Sequence, residues 1–296
     1  MRQVLKVGAF VAFLAVDVAL IVFMIRHVDA DSPDVSSRIT PAPSSEPTLE
    51  PTGEVALARG SGVLVRSRSG SCSDTGRPLM EKSRSGKDFD EIALPLLEKA
   101  DDSEPGSKAV TVRTVLRVEA KSADELSVIA GDKDCKPTRF TSEDGGTSWE
   151  RQKELDSWFV DAAGEGVVSP STSTRLGCDV ESLWPFSDLE ANVVCSAGTI
   201  LATADGGASW ATRGQLDDLV TGTFTSPRQG FAFSRSSDCV RAYSTNDGGV
   251  TWQPQGCLGD PKMKLSALTG NLSELVASDS SRVRVSTDRG KSWKAP

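Results

Sequence analysis

The sequence has few of the residues that most often carry chemistry. Its 296 residues include one histidine, His27, and one tyrosine, Tyr243, and none of its six cysteines lies in a Cys-x-x-Cys pair. A Ser–His–Asp triad is therefore excluded for everything after residue 27. A zinc site built from Cys and His ligands is not expected either. We predict no metal and no cofactor.

Positive charge is also scarce. There are 33 Lys and Arg residues against 41 Asp and Glu residues, which gives a net charge of −8. Nucleic-acid-binding domains carry a basic patch or stripe that contacts the phosphates, and no such excess is present. We therefore expect no nucleic-acid partner.

Long apolar runs are limited to one. Residues 7–25 form a 19-residue stretch interrupted only by Asp17, close to the length that crosses a bilayer as a helix. The short basic segment before it predicts a cytoplasmic N-terminus. The predicted order is a cytoplasmic tail (1–6), a transmembrane signal anchor (7–28), a linker rich in Pro, Ser and Thr (29–53) and an extracytoplasmic domain (54–296) of a single-pass cell-membrane protein. A signal peptide cleaved near residues 28–30 is the alternative.

After residue 54 the sequence consists of short β-type runs separated by clusters of Gly, Ser, Asp and Asn. Runs such as 62–67, 126–130 and 230–234 are rich in Val, Ile and Phe. Many short strands at regular spacing predict an all-β sandwich, barrel or propeller.

A repeated phrase selects among these architectures. It occurs as "TSEDGGTSW" (141–149), "TADGGASW" (203–210), "STNDGGVTW" (244–252) and "STDRGKSW" (286–293). We call these four segments the Trp turns. Their aspartates are 61, 42 and 41 residues apart. A period near 40–50 residues with one turn motif per repeat is typical of propeller blades.

The Trp turns resemble the Asp-box, the Ser-x-Asp-x-Gly-x-Thr-Trp signature of the bacterial neuraminidase repeat. That family folds as a sialidase-like β-propeller, with the box at the hairpin between the third and fourth strands of a blade. The matching residues are Ser142, Asp144, Gly146, Ser148 and Trp149; Thr203, Asp205, Gly207, Ser209 and Trp210; Thr245, Asp247, Gly249, Thr251 and Trp252; and Ser286, Asp288, Gly290, Ser292 and Trp293. We assign these residues a structural role, because each turn offers one recurring carboxylate whereas calcium takes six to eight oxygens.

The predicted fold is an all-β propeller of six, alternatively five, four-stranded blades. Residues 83–89 resemble a degenerate fifth turn, one residue short, with Phe89 in the Trp position. Residues 157–178 form either a blade without a Trp turn or an insertion. Because only three residues follow Trp293, we expect a strand from residues 54–67 to supply the fourth strand of the last blade and close the ring.

The six cysteines, all after residue 70, agree with an oxidising compartment, and their even number permits full pairing. Cys239 and Cys257 flank the third Trp turn, and Cys178 and Cys195 flank a predicted turn in the preceding blade. We therefore predict the disulfides Cys178–Cys195 and Cys239–Cys257, which leaves Cys72–Cys135. Six cysteines allow fifteen connectivities, so the sequence alone does not decide among them.

The catalytic pattern that the resemblance would imply is missing. Sialidases use an arginine triad, a Tyr nucleophile with a Glu partner, and an Asp acid/base. Here the nearest string to their Arg-Ile-Pro motif is "RITP" (38–41) in the linker, and Tyr243 directly precedes a Trp turn, on a third strand away from the central face. We predict no catalytic residue.

The best candidates for ligand contact are aromatic residues outside the Trp turns. Trp158, Phe159 and Trp184 lie where first strands and their loops are expected, although packing between blades is the alternative role. The predicted function is a non-enzymatic docking or assembly scaffold for another envelope protein. The alternative is an envelope protein that binds or hydrolyses a glycan.

Overall fold

The computed structural model describes residues 51–73, 76–97, 110–279 and 282–296. The predicted tail, membrane anchor and most of the linker lie outside these residues. Within the described ranges, no helix is long and apolar enough to cross a membrane.

The described chain is an all-β propeller. Its antiparallel sheets follow one another along the sequence as the blades of the ring. Blade 1 comprises β1 (Val55–Gly60), β2 (Val63–Arg68), β3 (Leu79–Ser83) and β4 (Asp90–Glu91), and blade 2 comprises β7 (Thr114–Ala120), β8 (Leu126–Gly131), β9 (Pro137–Ser142) and β10 (Glu150–Arg151). A two-stranded hairpin of β5 (Leu96–Leu97) and β6 (Val110–Thr111) lies between them in the chain.

The remaining blades follow in the same manner. Blade 3 comprises β11 (Phe159–Val160), β12 (Gly166–Val168) and β13 (Ser173–Arg175), and blade 4 comprises β14 (Val180–Pro185), β15 (Ala191–Cys195), β16 (Thr199–Thr203) and β17 (Ala211–Gln215). Blade 5 comprises β18 (Leu219–Phe224), β19 (Gly230–Arg235), β20 (Val240–Thr245) and β21 (Gln253–Gly259), and blade 6 comprises β22 (Leu265–Gly270), β23 (Leu275–Asp279) and β24 (Val283–Ser286). The expectation of six blades is confirmed, and residues 157–178 form a blade rather than an insertion.

The ring closes by packing between blades 1 and 6. Val55, Leu57 and Leu64 of blade 1 form one buried cluster with Ala267 and Val276 of blade 6. The expectation that residues 54–67 supply the fourth strand of the last blade is wrong, because they form the first two strands of blade 1.

The fourth-strand position of blade 6 is held by a single residue. Lys294 exchanges two backbone hydrogen bonds with Val285, 2.8 and 3.0 Å long. Apolar packing between whole blades therefore takes the place of strand exchange at the seam.

The core is distributed between neighbouring blades, because the inner strands are buried on both faces and each face packs against the next blade. Buried clusters join blades 1 and 2, 3 and 4, 4 and 5, 5 and 6, and 6 and 1. Among the described residues, no such cluster joins blades 2 and 3. Blade 3 is thus the least firmly packed member of the ring on one side.

Each Trp turn closes the outer hairpin of its blade and lies on the blade before it. A Cβ placed on Gly146 of blade 2 would come within 2.1 Å of Cγ2 of Ile92, which follows β4 of blade 1. The Trp149 indole N–H donates to the Ala93 carbonyl, 2.8 Å away, in the same segment. In the third turn, Gly249 approaches Ile200 of the preceding blade in the same manner. The turns therefore fasten consecutive blades together.

Candidate binding site at the mouth of the central channel

The inner strands start at one end of the ring, which we call the channel mouth. A parallel bridge between Ser61 and Ser122, the residues that follow β1 and β7, shows that these two inner strands run in the same direction. A cavity of about 740 Å³ opens at the mouth. Residues at or near the starts of five inner strands line it: Glu54, Thr114, Val180, Thr221 and Ser266. This volume is in the range of small-ligand pockets.

Acidic side chains dominate the charged lining of this cavity. Glu54, Asp161, Asp179 and Glu181 contribute carboxyl groups. Arg117 is the one basic residue in the described lining, and its Nε donates to the Glu119 carboxylate at 2.6 Å. The mouth therefore has a negative potential that favours cationic groups.

Glu181 is the most perturbed of these groups. It lies on β14, half-buried among the inner strands. Burial, together with the negative charge of Glu54, raises the pKa of Glu181 to about 7, while a hydrogen bond from Thr221 acts in the opposite direction. A carboxyl group in such a site exchanges its proton near neutral pH. A cationic group placed beside it would hold it in the ionised form.

Three disulfides lie at the mouth end of the blades, and one of them, Cys72–Cys135, lines the cavity. They join Cys72 to Cys135, Cys178 to Cys195, and Cys239 to Cys257, with Cα–Cα distances of 5.5, 5.9 and 5.8 Å. All three predicted pairs are confirmed. Because antiparallel strands reverse at each end, the loops after second strands and between blades share the mouth end with these bridges. Cys72–Cys135 additionally links blade 1 to blade 2.

One of these bridges lies beside an acidic group. The Asp238 carboxylate is within 4.8 Å of the sulfurs of Cys239 and Cys257. Cysteine binds a metal as its thiolate, and both sulfurs are engaged in a disulfide. This group therefore does not form a metal site.

The structure places the three predicted ligand-contacting aromatics differently from one another. Trp158 is 3% exposed, donates its indole N–H to the Ser187 carbonyl at 2.9 Å, and packs edge-to-face on Trp210 with ring centroids 6.2 Å apart. It presents almost no surface to a ligand and serves the packing of blade 3 on blade 4. Phe159 is equally buried, although it belongs to the cavity lining.

Trp184 lies deeper in the channel. It is half-buried and lines the cavity, and its indole N–H donates to the Gly222 carbonyl of blade 5 at 3.1 Å. The indole donor is therefore already engaged between blades. Of the three residues, Trp184 alone combines partial exposure with a place in the lining.

The aspartates of the Trp turns have their oxygens engaged within the turn. One oxygen of Asp144 accepts from the Ser142 hydroxyl and the Ser148 N–H at 2.8 and 2.9 Å, and the other accepts from the Ser148 hydroxyl at 2.6 Å. The Gly146 N–H donates to the Ser142 hydroxyl at 2.8 Å. The same bonds recur around Asp205, Asp247 and Asp288.

These bonds stabilise the ionised carboxylates. The hydrogen bond from the Ser148 hydroxyl is the largest cause that lowers the pKa of Asp144 to about 2. The pKa values of Asp205, Asp247 and Asp288 are lowered to about 2 for the same reason. A carboxylate that already accepts three local hydrogen bonds has little capacity left for an ion.

Ser83 of the shortened fifth turn keeps one bond of the set, because its hydroxyl accepts from the Gly86 N–H at 2.8 Å. Phe89 occupies the Trp place and carries the Arg66 guanidinium above its ring, 4.2 Å from the centroid. Tyr243 lies in β20, the third strand of blade 5, outside the cavity lining.

Sequence reasoning missed the residues that form the mouth. Glu181 and Asp179 flank the start of a strand in "CDVESLW", where a charged residue in an apolar run was the only available signal. Glu54 lies at the start of the domain and showed no signal. The charge of a residue does not show whether its strand lines the channel. The sequence therefore could not predict that these carboxyl groups lie in one cavity.

Comparisons with known proteins concern the fold. No family model and no curated protein matches the chain. Similar solved structures include YCF48 from Cyanidioschyzon merolae (11% identity over 77% of this chain and 80% of that chain, TM-score 0.44). They also include YCF48 bound to a D1 peptide (13%, 77% and 90%, 0.41) and the SapL1 lectin in complex with alpha methyl fucoside (10%, 84% and 96%, 0.46). At these values the similarity does not indicate what the chain binds.

Proposed function

We propose that this protein is a membrane-anchored, extracytoplasmic Asp-box propeller that binds a segment of another envelope protein at the channel mouth, without catalysing a reaction. The anchor and compartment are inferred from residues 7–28 and from the paired cysteines. The family assignment is inferred from the residues of the Trp turns.

The observation that carries the proposal is the cavity of about 740 Å³ at the mouth. It is bordered by the inner strands, and the Cys72–Cys135 disulfide belongs to its lining. A rigid rim loses little conformational entropy when a ligand binds, which favours recognition. The described lining carries four carboxyl groups and one arginine, so it can pair with basic side chains of a polypeptide.

The lining favours a polypeptide over a glycan. An aromatic platform for sugar rings would need exposed ring faces, and the aromatic members of the described lining are Phe159, which is 3% exposed, and the half-buried Trp184. The carboxyl groups favour a ligand with basic side chains. A glycan stacked on Trp184 is the second candidate, because Trp184 borders the cavity.

Position-specific photocrosslinking in native membranes tests the proposal. The full-length protein carries p-benzoylphenylalanine at Ala162, an exposed residue of the mouth, or at Leu272, which is 46% exposed at the opposite end of the ring. We expect a discrete adduct with a second protein from Ala162 and not from Leu272. Equal adduct patterns from both positions would contradict the proposal.

A glycan array on the detergent-solubilised protein tests the second candidate. Binding of a defined glycan that is lost in Trp184→Ala, together with no protein adduct from Ala162, would favour it. Absence of glycan binding combined with the Ala162 adduct supports a protein partner.

A further inference from the structure

Blade 3 lacks the inner strand that the other blades have. Trp158, directly before β11, contacts Ser187 beyond the end of β14, while Gly164, in the loop after β11, accepts a 2.7 Å backbone hydrogen bond from Val180 at the start of β14. β11 therefore runs antiparallel to the adjacent inner strand. It has the direction of a second strand, and its blade begins one strand late.

The other strands of blade 3 agree with this assignment. Thr174 on β13 donates its hydroxyl to the Gly207 carbonyl in the Trp turn of the next blade, at 2.7 Å. The fourth strand of blade 5 makes the equivalent contact, since the Gly256 N–H donates to Gly290 in the next Trp turn at 3.0 Å. β13 therefore corresponds to a fourth strand and β11 to a second strand, and no strand of the described chain pairs with the inner edge of β11.

The inner edge of β11 offers unpaired backbone groups. Asp161 donates to the Gly166 carbonyl at 2.9 Å, which makes Asp161 and Gly166 a hydrogen-bonded pair. Antiparallel pairs alternate, so Val160, opposite Val167, is in a non-bonded pair. Its N–H and C=O point away from β12, toward the edge of β11 that pairs with no described strand. Val160 is half-buried and lines the cavity.

The cavity and its charge specify what can occupy this position. An extended polypeptide segment supplies the backbone donors and acceptors that a strand edge lacks, as in strand addition. Edges left unpaired on a sheet are templates for such pairing. The carboxyl groups of Glu54, Asp161 and Glu181 line the same cavity, so side chains of Lys or Arg would be favoured there.

We propose that the channel mouth binds an extended, basic polypeptide segment from a partner protein, which adds to the inner edge of β11 and takes the place of the missing first strand of blade 3. This rests on the proposed function and specifies its geometry. The segment pairs through its backbone with Val160, and its basic side chains lie among the carboxyl groups of the mouth.

Hydrogen–deuterium exchange resolved to single residues provides the first test. The probe is a basic peptide selected from a random peptide library on the full-length protein in nanodiscs. We expect the Val160 amide to exchange rapidly without peptide and slowly with it. A Val160 amide that exchanges at the same rate in both states would overturn the proposal. So would one already protected without peptide, because a segment of the chain itself would then fill the edge.

Two proline variants provide the second test. Val160→Pro removes the inward N–H, whereas Arg175→Pro removes an N–H in the same kind of non-bonded pair on the outer edge of the blade. We expect Val160→Pro to weaken the selected peptide roughly tenfold, the worth of one backbone hydrogen bond, and Arg175→Pro to have no effect. Both variants should melt at similar temperatures.

The result is separable from that of the proposed function. Equal affinities of the two proline variants, with the Ala162 adduct intact, would overturn strand addition and leave a partner at the mouth. If the protein with the crosslinker at Ala162 and no other change gives no adduct, both the proposed function and strand addition would be contradicted.

Discussion

Gly146→Ala should destabilise the propeller more than an alanine at a glycine of similar backbone conformation elsewhere. Gly146 has φ +90°, and a side chain in this region costs about 1–2 kcal/mol. The added Cβ would also lie 2.1 Å from Cγ2 of Ile92, an overlap that costs roughly 1–3 kcal/mol in a packed core. The expected loss of unfolding free energy is therefore about 2–5 kcal/mol, or roughly 5–15 °C in Tm.

Gly62→Ala is the matched control. Gly62 has φ +68°, and a Cβ there would meet nothing within 4 Å, so only the backbone cost of about 1–2 kcal/mol applies. Urea and thermal unfolding of the full chain, followed by tryptophan fluorescence, measure both variants. The double variant Gly146→Ala/Ile92→Ala should lose less than the sum of its parts, since removing Cγ2 relieves the overlap. Equal losses for Gly146→Ala and Gly62→Ala would refute the role of the turn as a fastening between blades.

Three further predictions concern backbone strain, proton linkage and the disulfide between blades. Arg289 has φ +62°, so Arg289→Gly should raise the free energy of unfolding measured in urea by roughly 0.5–1 kcal/mol, whereas Arg284→Gly within β24 should lower it. Because the pKa of Glu181 rises from 4.5 to about 7 on folding, the folded protein holds a proton that the unfolded chain releases between these values. Stability should fall as pH rises through this range, and a Glu181→Gln variant with an equal pH slope would contradict the burial of this carboxyl group. Cys72→Ala/Cys135→Ala opens a loop with a sequence separation of 63 and should cost roughly 4 kcal/mol in calorimetry; an unchanged Tm would show that the bridge does not constrain the unfolded chain.

Local chemistry explains the features that the sequence could predict. The donors and acceptors of each Trp turn lie within eight residues of one another, so Asp144 and its partners are recognisable as a unit. Cys178–Cys195 and Cys239–Cys257 are also local. Each bridge lies on one hairpin, formed by β14 and β15 for the first and by β20 and β21 for the second. The blade count follows from the spacings of 42 and 41 residues between the last three Trp turns, together with the shortened turn at 83–89 and the span 157–178.

The features it could not predict depend on contacts between distant segments. Trp158 is buried because the Trp turn of the next blade, with Gly207 and Trp210, covers it from about fifty residues further along the chain. Glu181 differs from other strand carboxylates only through its place on an inner strand facing Glu54. Neither relation leaves a periodic pattern, so aromatic type and the expected strand position placed Trp158 among the ligand candidates.

The shortness of blade 3 was hidden for a related reason. β11 has two residues and β12 and β13 have three, too few for the alternation that identifies a half-buried strand. Because one strand is missing, the strand of blade 3 nearest the channel runs opposite to the other inner strands. No residue pattern shows the direction of a strand. The cavity at the mouth and the unpaired edge of β11 meet at Val160, which is why we locate recognition at blade 3.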